Sequence, residues 1–172
     1  NHSTTGESWS FGPKNDGEVL WYYYSGGVRK MESGKTLSTG QWYHLAFVFD
    51  GSTSMKIFVD GTLEHSEEVI GTPTGSSTTF AIGRITASGN DFNGRISNLR
   101  IAHTAVYSNN FTIPNETLTN ITGTKLLCCQ SSSSTTAAAV TPTAFTASGD
   151  PTAFSDTTVT INQPPTATPT PS

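Results

Sequence analysis

Short apolar runs, each ending at a glycine-containing turn, dominate the first 130 positions. Val19-Leu-Trp-Tyr-Tyr-Tyr24 is β-branched and aromatic and stops at Gly26-Gly27. Trp42-Tyr-His-Leu-Ala-Phe-Val-Phe49 stops at Asp50-Gly51, and Met55-Lys-Ile-Phe-Val59 stops at Asp60-Gly61. Asp-Gly favours a tight reversal because Gly takes positive φ without steric cost. Residues 42–69 therefore read as an antiparallel meander of three strands. Further strands are expected over 79–83, 93–101 and 125–130. No window carries the 3.6-residue period of an amphipathic helix, and only 104–108 reads as a short helical turn. Short strands with turns roughly every 8–12 residues predict an all-β sandwich or jelly roll.

Beyond Gln130 the pattern changes. The chain turns rich in Ser, Thr, Ala and Pro, and Asp150 and Asp156 are its only remaining charges. Between 140 and 161, Phe145, Phe154, Val159 and Ile161 are spaced as anchors for short closing strands. The final run from Gln163 to Ser172 holds too many prolines for a central strand, since proline lacks the ladder donor. The expected division is a sandwich over 1–155 and an extended Thr/Pro linker or tail over 156–172.

Composition then narrows the partners. Charged residues make up 13%, about half the usual share, and about fifty Ser and Thr take their place. The net charge of −4 offers no basic footprint for nucleic acid. No apolar run is long enough to predict membrane insertion. The chain opens at Asn1 with no signal peptide, and reads as a segment of something longer.

The two cysteines, Cys128 and Cys129, are adjacent. Neighbouring side chains of a strand point to opposite faces, so the pair is expected to diverge as reduced, packing thiols, one facing the core. A vicinal disulfide would demand a strained backbone, and zinc needs ligands at other spacings.

Several residues are candidates for chemistry, each with a plainer reading beside it. Trp21, Tyr22, Tyr23 and Tyr24 offer aromatic faces that stack on sugar rings. Strand alternation puts Trp21 with Tyr23 and Tyr22 with Tyr24, so one pair can instead line the core. Asp50, Asp60 and Asp91 are hard oxygen ligands that suit calcium, yet Asp before Gly in a hairpin is also favoured for its own backbone bonds. No catalytic residue is expected, because no closely spaced carboxylate pair shares a strand face. Glu64, His65, Glu67 and Glu68 read as a solvated stretch. Arg95 and Arg100 read as structural cations that pair with acids or cover apolar surface. Sequons at Asn1, Asn110, Asn115 and Asn120 would carry glycans only in a eukaryotic secreted chain.

Trp42 to Gly51, Ile57 to Gly61 and Phe80-Ala-Ile-Gly-Arg84 together resemble the laminin-G/concanavalin A-like lectin sandwich. Phe92 to Ile101, Thr104 to Tyr107, Asn110 to Pro114 and Leu118 to Gln130 resemble its version in virion proteins of tailed phages, notably cyanophages. The resemblance covers roughly residues 8–155 and implies a jelly-roll sandwich with His44 as a structural strand residue. It implies a non-enzymatic module on the virion exterior, in a tail fibre, appendage or capsid decoration. Its partners would be further copies, other virion proteins or host-surface glycans. It would need no cofactor, though calcium is compatible. The alternative is a secreted cell-surface adhesion or filament protein with the same fold. Such domains open with strands that have no counterpart before Trp9, so these are expected upstream or from a neighbouring copy.

Overall fold

The computed structural model describes residues 9–71, 80–85 and 90–154, and among them it holds eleven strands and no helix. Strands β1 (Trp9–Pro13), β2 (Glu18–Tyr24) and β3 (Val28–Thr36) form one antiparallel sheet in the order β1-β2-β3. The meander follows as β4 (Leu45–Phe49), β5 (Ser54–Val59) and β6 (Thr62–Glu68). A small hairpin pairs β7 (Arg84–Ile85) with β8 (Asn90–Asp91). The third sheet, in the order β11-β10-β9, joins β9 (Leu99–Ala102), β10 (Thr124–Cys128) and β11 (Ala138–Val140). This is the antiparallel jelly-roll sandwich class that the pattern predicts.

Alternation explains the core. On β2, Val19, Trp21 and Tyr23 are buried while their neighbours are only half-buried. With Met31 of β3 they pack against Met55, Ile57 and Val59 of β5, and against Leu45, Phe47 and Phe49 of β4. Two sheets thus meet face to face, each supplying every second residue. The opposite face of β5 is also covered. Phe58 is 0% exposed and lies 5.5 Å from the Phe111 ring. The segment carrying Phe111 is tied to the meander by three bonds: Lys56 Nζ donates to the Ser108 carbonyl at 2.7 Å, the Leu63 N–H donates to Asn110 Oδ1 at 2.8 Å, and the Phe111 N–H donates to the Gly61 carbonyl at 2.9 Å.

The turn between β5 and β6 follows its sequence closely. Asp60 and Gly61 both have positive φ, 50° and 76°, which makes a two-residue hairpin matched to strand twist. Gly61 has a second reason to lack a side chain, because a Cβ there would sit 2.1 Å from the Phe111 carbonyl oxygen.

Elsewhere the boundaries move. The strand predicted from 42 begins only at Leu45, because the His44 backbone bonds to Asp60 instead of to a ladder. Residues 104–108 form no helical turn; Tyr107 leaves the regular backbone to stack on Phe111 at 3.5 Å. Of 93–101 only Leu99 onward is strand, and near 79–83 pairing starts at Arg84, with Thr79 outside the described residues. β10 stops at Cys128 rather than at 130. The cysteines do not diverge either: φ at Cys129 is 60°, which swings its sulfur to 3.5 Å from that of Cys128. Cys128 is the thiol that is buried. Val159, Ile161 and the 156–172 tail lie outside the described residues, while Phe145 and Phe154 are half-buried.

Candidate binding surface

The most unusual exposed feature lies beside β1, whose outer edge has no paired strand among the described residues. Trp9 is the cross-strand partner of Tyr23, and Phe11 of Trp21, so both rings lie on the core-facing side of the sheet. β1 ends its sheet, and among the described residues no strand pairs with its other side. The core's aromatic layer therefore emerges into solvent here. Phe11 stacks on Phe47 at 4.4 Å, and Trp9 and Phe11 run parallel within 3° at 5.5 Å. Phe80 tilts onto Trp9 at 5.6 Å. Trp9 and Phe11 are each 38% exposed and Phe80 is 44% exposed. Such a row can take the apolar face of a sugar ring, or the flank of an extended peptide, with little loss of side-chain entropy.

The tyrosine-rich strand plays a different part. Trp21 and Tyr23 are buried, with Trp21 edge-on to Phe47 at 5.7 Å and the Tyr23 hydroxyl accepting from the Ile70 N–H at 3.2 Å. These two rings are core, which corrects their candidacy as glycan contacts. Tyr22 and Tyr24 sit half-buried on the opposite face of β2. Neither Trp9 nor Phe11 stood out in the sequence, although the Trp-x-Phe spacing places both on one strand face.

Of the candidate calcium ligands, Asp50 and Asp60 are occupied with backbone N–H groups and Asp91 faces an arginine. Asp50 accepts from the N–H groups of Ser54 (3.0 Å), Ser52 (2.9 Å) and Thr53 (2.8 Å). Those bonds, led by Ser54, hold its carboxyl down at about 2. Asp60 accepts from the His44 N–H at 2.8 Å, and Asp91 lies 3.4 Å from Arg84 Nε. Among the described residues no three His, Cys, Asp or Glu converge as a metal site would need. The Asp50 turn yields a prediction with a definite sign. A carboxyl whose folded pKa is depressed stabilises the fold above its ordinary value near 3.8, and that contribution is lost as pH falls through about 2. A carboxyl-carbon NMR titration of the folded chain should place Asp50 near 2, and Asp50→Asn should flatten the melting temperature between those limits.

The remaining candidates are structural in placement. Arg95 lies over the Phe154 ring at 4.9 Å, and Arg100 donates to the Thr119 carbonyl at 3.2 Å. Burial lowers the pKa of His44 against the opposing pull of Asp60, so the ring packs neutral beside Phe111 at 5.4 Å. On β6, Glu64 meets Lys35 at 3.7 Å and Glu67 meets His65 at 3.6 Å, both at the surface, and Glu68 is exposed there too. Asn110, Asn115 and Asn120 are exposed. Asn1 is outside the described residues.

An antiparallel sandwich that offers an aromatic row at its edge has the architecture of a binding domain. The family model described as the concanavalin A-like lectin/glucanases superfamily (Laminin_G_3) matches residues 1–110, and the chain belongs to that superfamily. No curated protein and no solved structure matches the chain.

Proposed function

We propose that the chain is a non-enzymatic binding module that presents the Trp9–Phe11–Phe80 row to glycans, and that it does so from the exterior of a virion. The row supports this reading: Trp9 and Phe11 are parallel and exposed on one strand face, with Phe80 tilted against Trp9. The likeness of residues 92–130 to phage virion proteins supports the particle, in a tail fibre, appendage or capsid decoration. Low charge means that shape and stacking dominate, so each site is weak and repetition supplies the avidity. The carboxylates of Asp50 and Asp60 are engaged with backbone N–H groups, which favours binding over hydrolysis.

A glycan array probed with a multivalent display of the chain and with the single chain tests this. The display should bind and the single chain should bind weakly. The Trp9→Ala/Phe11→Ala double variant should lose at least roughly tenfold in affinity, the worth of about 1.4 kcal/mol of stacking and burial. Tyr22→Phe should change little. Retention of full binding by the double variant would contradict the assignment.

A second reading rests on the position of the same rings. They face the core side of an edge strand, so a strand from a further copy or from upstream sequence could cover them. Silence of the array with both forms, together with self-association lost in the double variant, would favour it. The cell-surface alternative is favoured instead by attached glycans at the exposed Asn110, Asn115 and Asn120, which intact mass would reveal.

A further inference from the structure

Cys128 and Cys129 are the chain's only cysteines, and an extended strand would keep their side chains on opposite faces. Here their sulfurs are 3.5 Å apart. Three features of the surrounding backbone hold them so. The pairing of β10 with β11 slips at Leu127/Cys128, Cys129 takes φ 60°, and its carbonyl accepts from the Asn98 N–H at 3.0 Å. Immediately beyond, the Gln130 amide donates to Asn98 Oδ1 at 3.0 Å and to the Leu118 carbonyl at 2.8 Å. The thiol contact is therefore imposed by the sheet rather than by a free rotation of two side chains.

Access differs between the two thiols: Cys128 is only 2% exposed even where it meets solvent. Cys128 borders an open cleft of about 300 Å³ whose other walls are Gln130, Ser131 and the small residues Ala137, Ala138 and Ala139. Cys129 is only half-buried. We propose that this pair is a reversible redox site, a vicinal dithiol that closes to a Cys128–Cys129 disulfide by exchange with a low-molecular-weight disulfide such as oxidised glutathione.

The exchange balances in two steps. The Cys129 thiolate attacks one sulfur of the small disulfide, forms a mixed disulfide and expels one thiolate. The Cys128 thiol then gives up its proton and attacks the Cys129 sulfur, expelling the second. The chain loses two electrons and two protons, and the oxidant leaves as two thiols. Cys129 goes first because it is the less buried residue of the two, and because the sulfur contact with Cys128 lowers its pKa. The same contact with Cys129, and then burial, raise the Cys128 pKa and keep it protonated until it is needed. Neighbouring Cα atoms are about 3.8 Å apart across a trans peptide, short of the roughly 4.4 Å at which ordinary disulfides begin. The closed ring is thus strained and readily reduced, a responsive bond rather than a staple.

The test uses the full chain, equilibrated without oxygen in glutathione buffers of graded composition, acid-quenched, alkylated with N-ethylmaleimide and weighed intact. The folded chain should convert to a monomer carrying no label and lighter by two hydrogens. Its midpoint should need at least roughly tenfold less oxidant than the same chain in urea, where only the peptide link and not the sheet keeps the sulfurs near each other. Two persistent labels in the most oxidising buffer would overturn the proposal. So would an adduct that stops at one glutathione, a cross-linked dimer, or equal midpoints folded and in urea. The order of attack has its own check: Cys128→Ser should stall as a glutathione adduct on Cys129, and Cys129→Ser should leave Cys128 unmodified. The reverse pattern would refute that order.

Discussion

Gly61→Ala is expected to destabilise the fold by about 3 kcal/mol, lowering the melting temperature by roughly 10 °C. Two causes add. An L-residue at φ 76° costs about 1–2 kcal/mol. The new Cβ would also lie 2.1 Å from the Phe111 carbonyl oxygen, so the 103–114 segment must move. Movement sacrifices the 2.9 Å bond from the Phe111 N–H to the Gly61 carbonyl, worth about 1 kcal/mol. Gly51→Ala is the control. Gly51 also has positive φ, 88°, but nothing lies within 4 Å of its Cβ position, so only the conformational cost remains. Equal losses from the two substitutions in urea unfolding would show that the close approach to Phe111 contributes nothing.

Phe58→Ala should cost more, about 3–5 kcal/mol. Phe58 is 0% exposed and is closed in by Phe111 on the face of β5 turned away from Trp21 and Tyr23. Truncation removes the transfer energy of a whole ring and leaves a cavity that the tied-down 103–114 segment cannot collapse to fill. Phe80→Ala, at a ring 44% exposed, should cost under about 1 kcal/mol while weakening glycan binding. That contrast separates rings that hold the sandwich together from rings that meet a partner. Similar melting temperatures for the two variants would contradict it.

Where local chemistry set the structure, the sequence was readable. The meander was legible because Asp60-Gly61 supplies the positive φ angles that its hairpin requires, and because 45–49 and 55–59 are short apolar runs that each end at Asp-Gly. The capacity of Asp50 to cap its own turn followed from the same chemistry. β1 was missed because Gly12 and Pro13 make it look like a loop, and β3 because Arg29, Lys30, Glu32 and Lys35 make it look like surface. Both become strands only because β2 lies between them. The exposed row followed that miss, since Trp9 and Phe11 gain meaning from a cross-strand register no local pattern encodes. Trp21 and Tyr23 invert the lesson: conspicuous in the sequence, they are spent on the core. The cysteine contact depends on a single residue in the left-handed region, at the end of a bulged strand, which alternation alone could not anticipate.

On the proposed function, partners meet the Trp9–Phe11–Phe80 row beside β1. Mapping amide and indole NMR shifts while titrating an array-selected oligosaccharide into the folded chain tests it most directly. The predicted result is a cluster of perturbations at the Trp9 indole, Phe11 and Phe80, with Asp50, Asp60 and the Tyr22/Tyr24 face unmoved. Perturbations centred on the Asp50 and Asp60 turns, or on Tyr22 and Tyr24, with Trp9 unaffected, would contradict it.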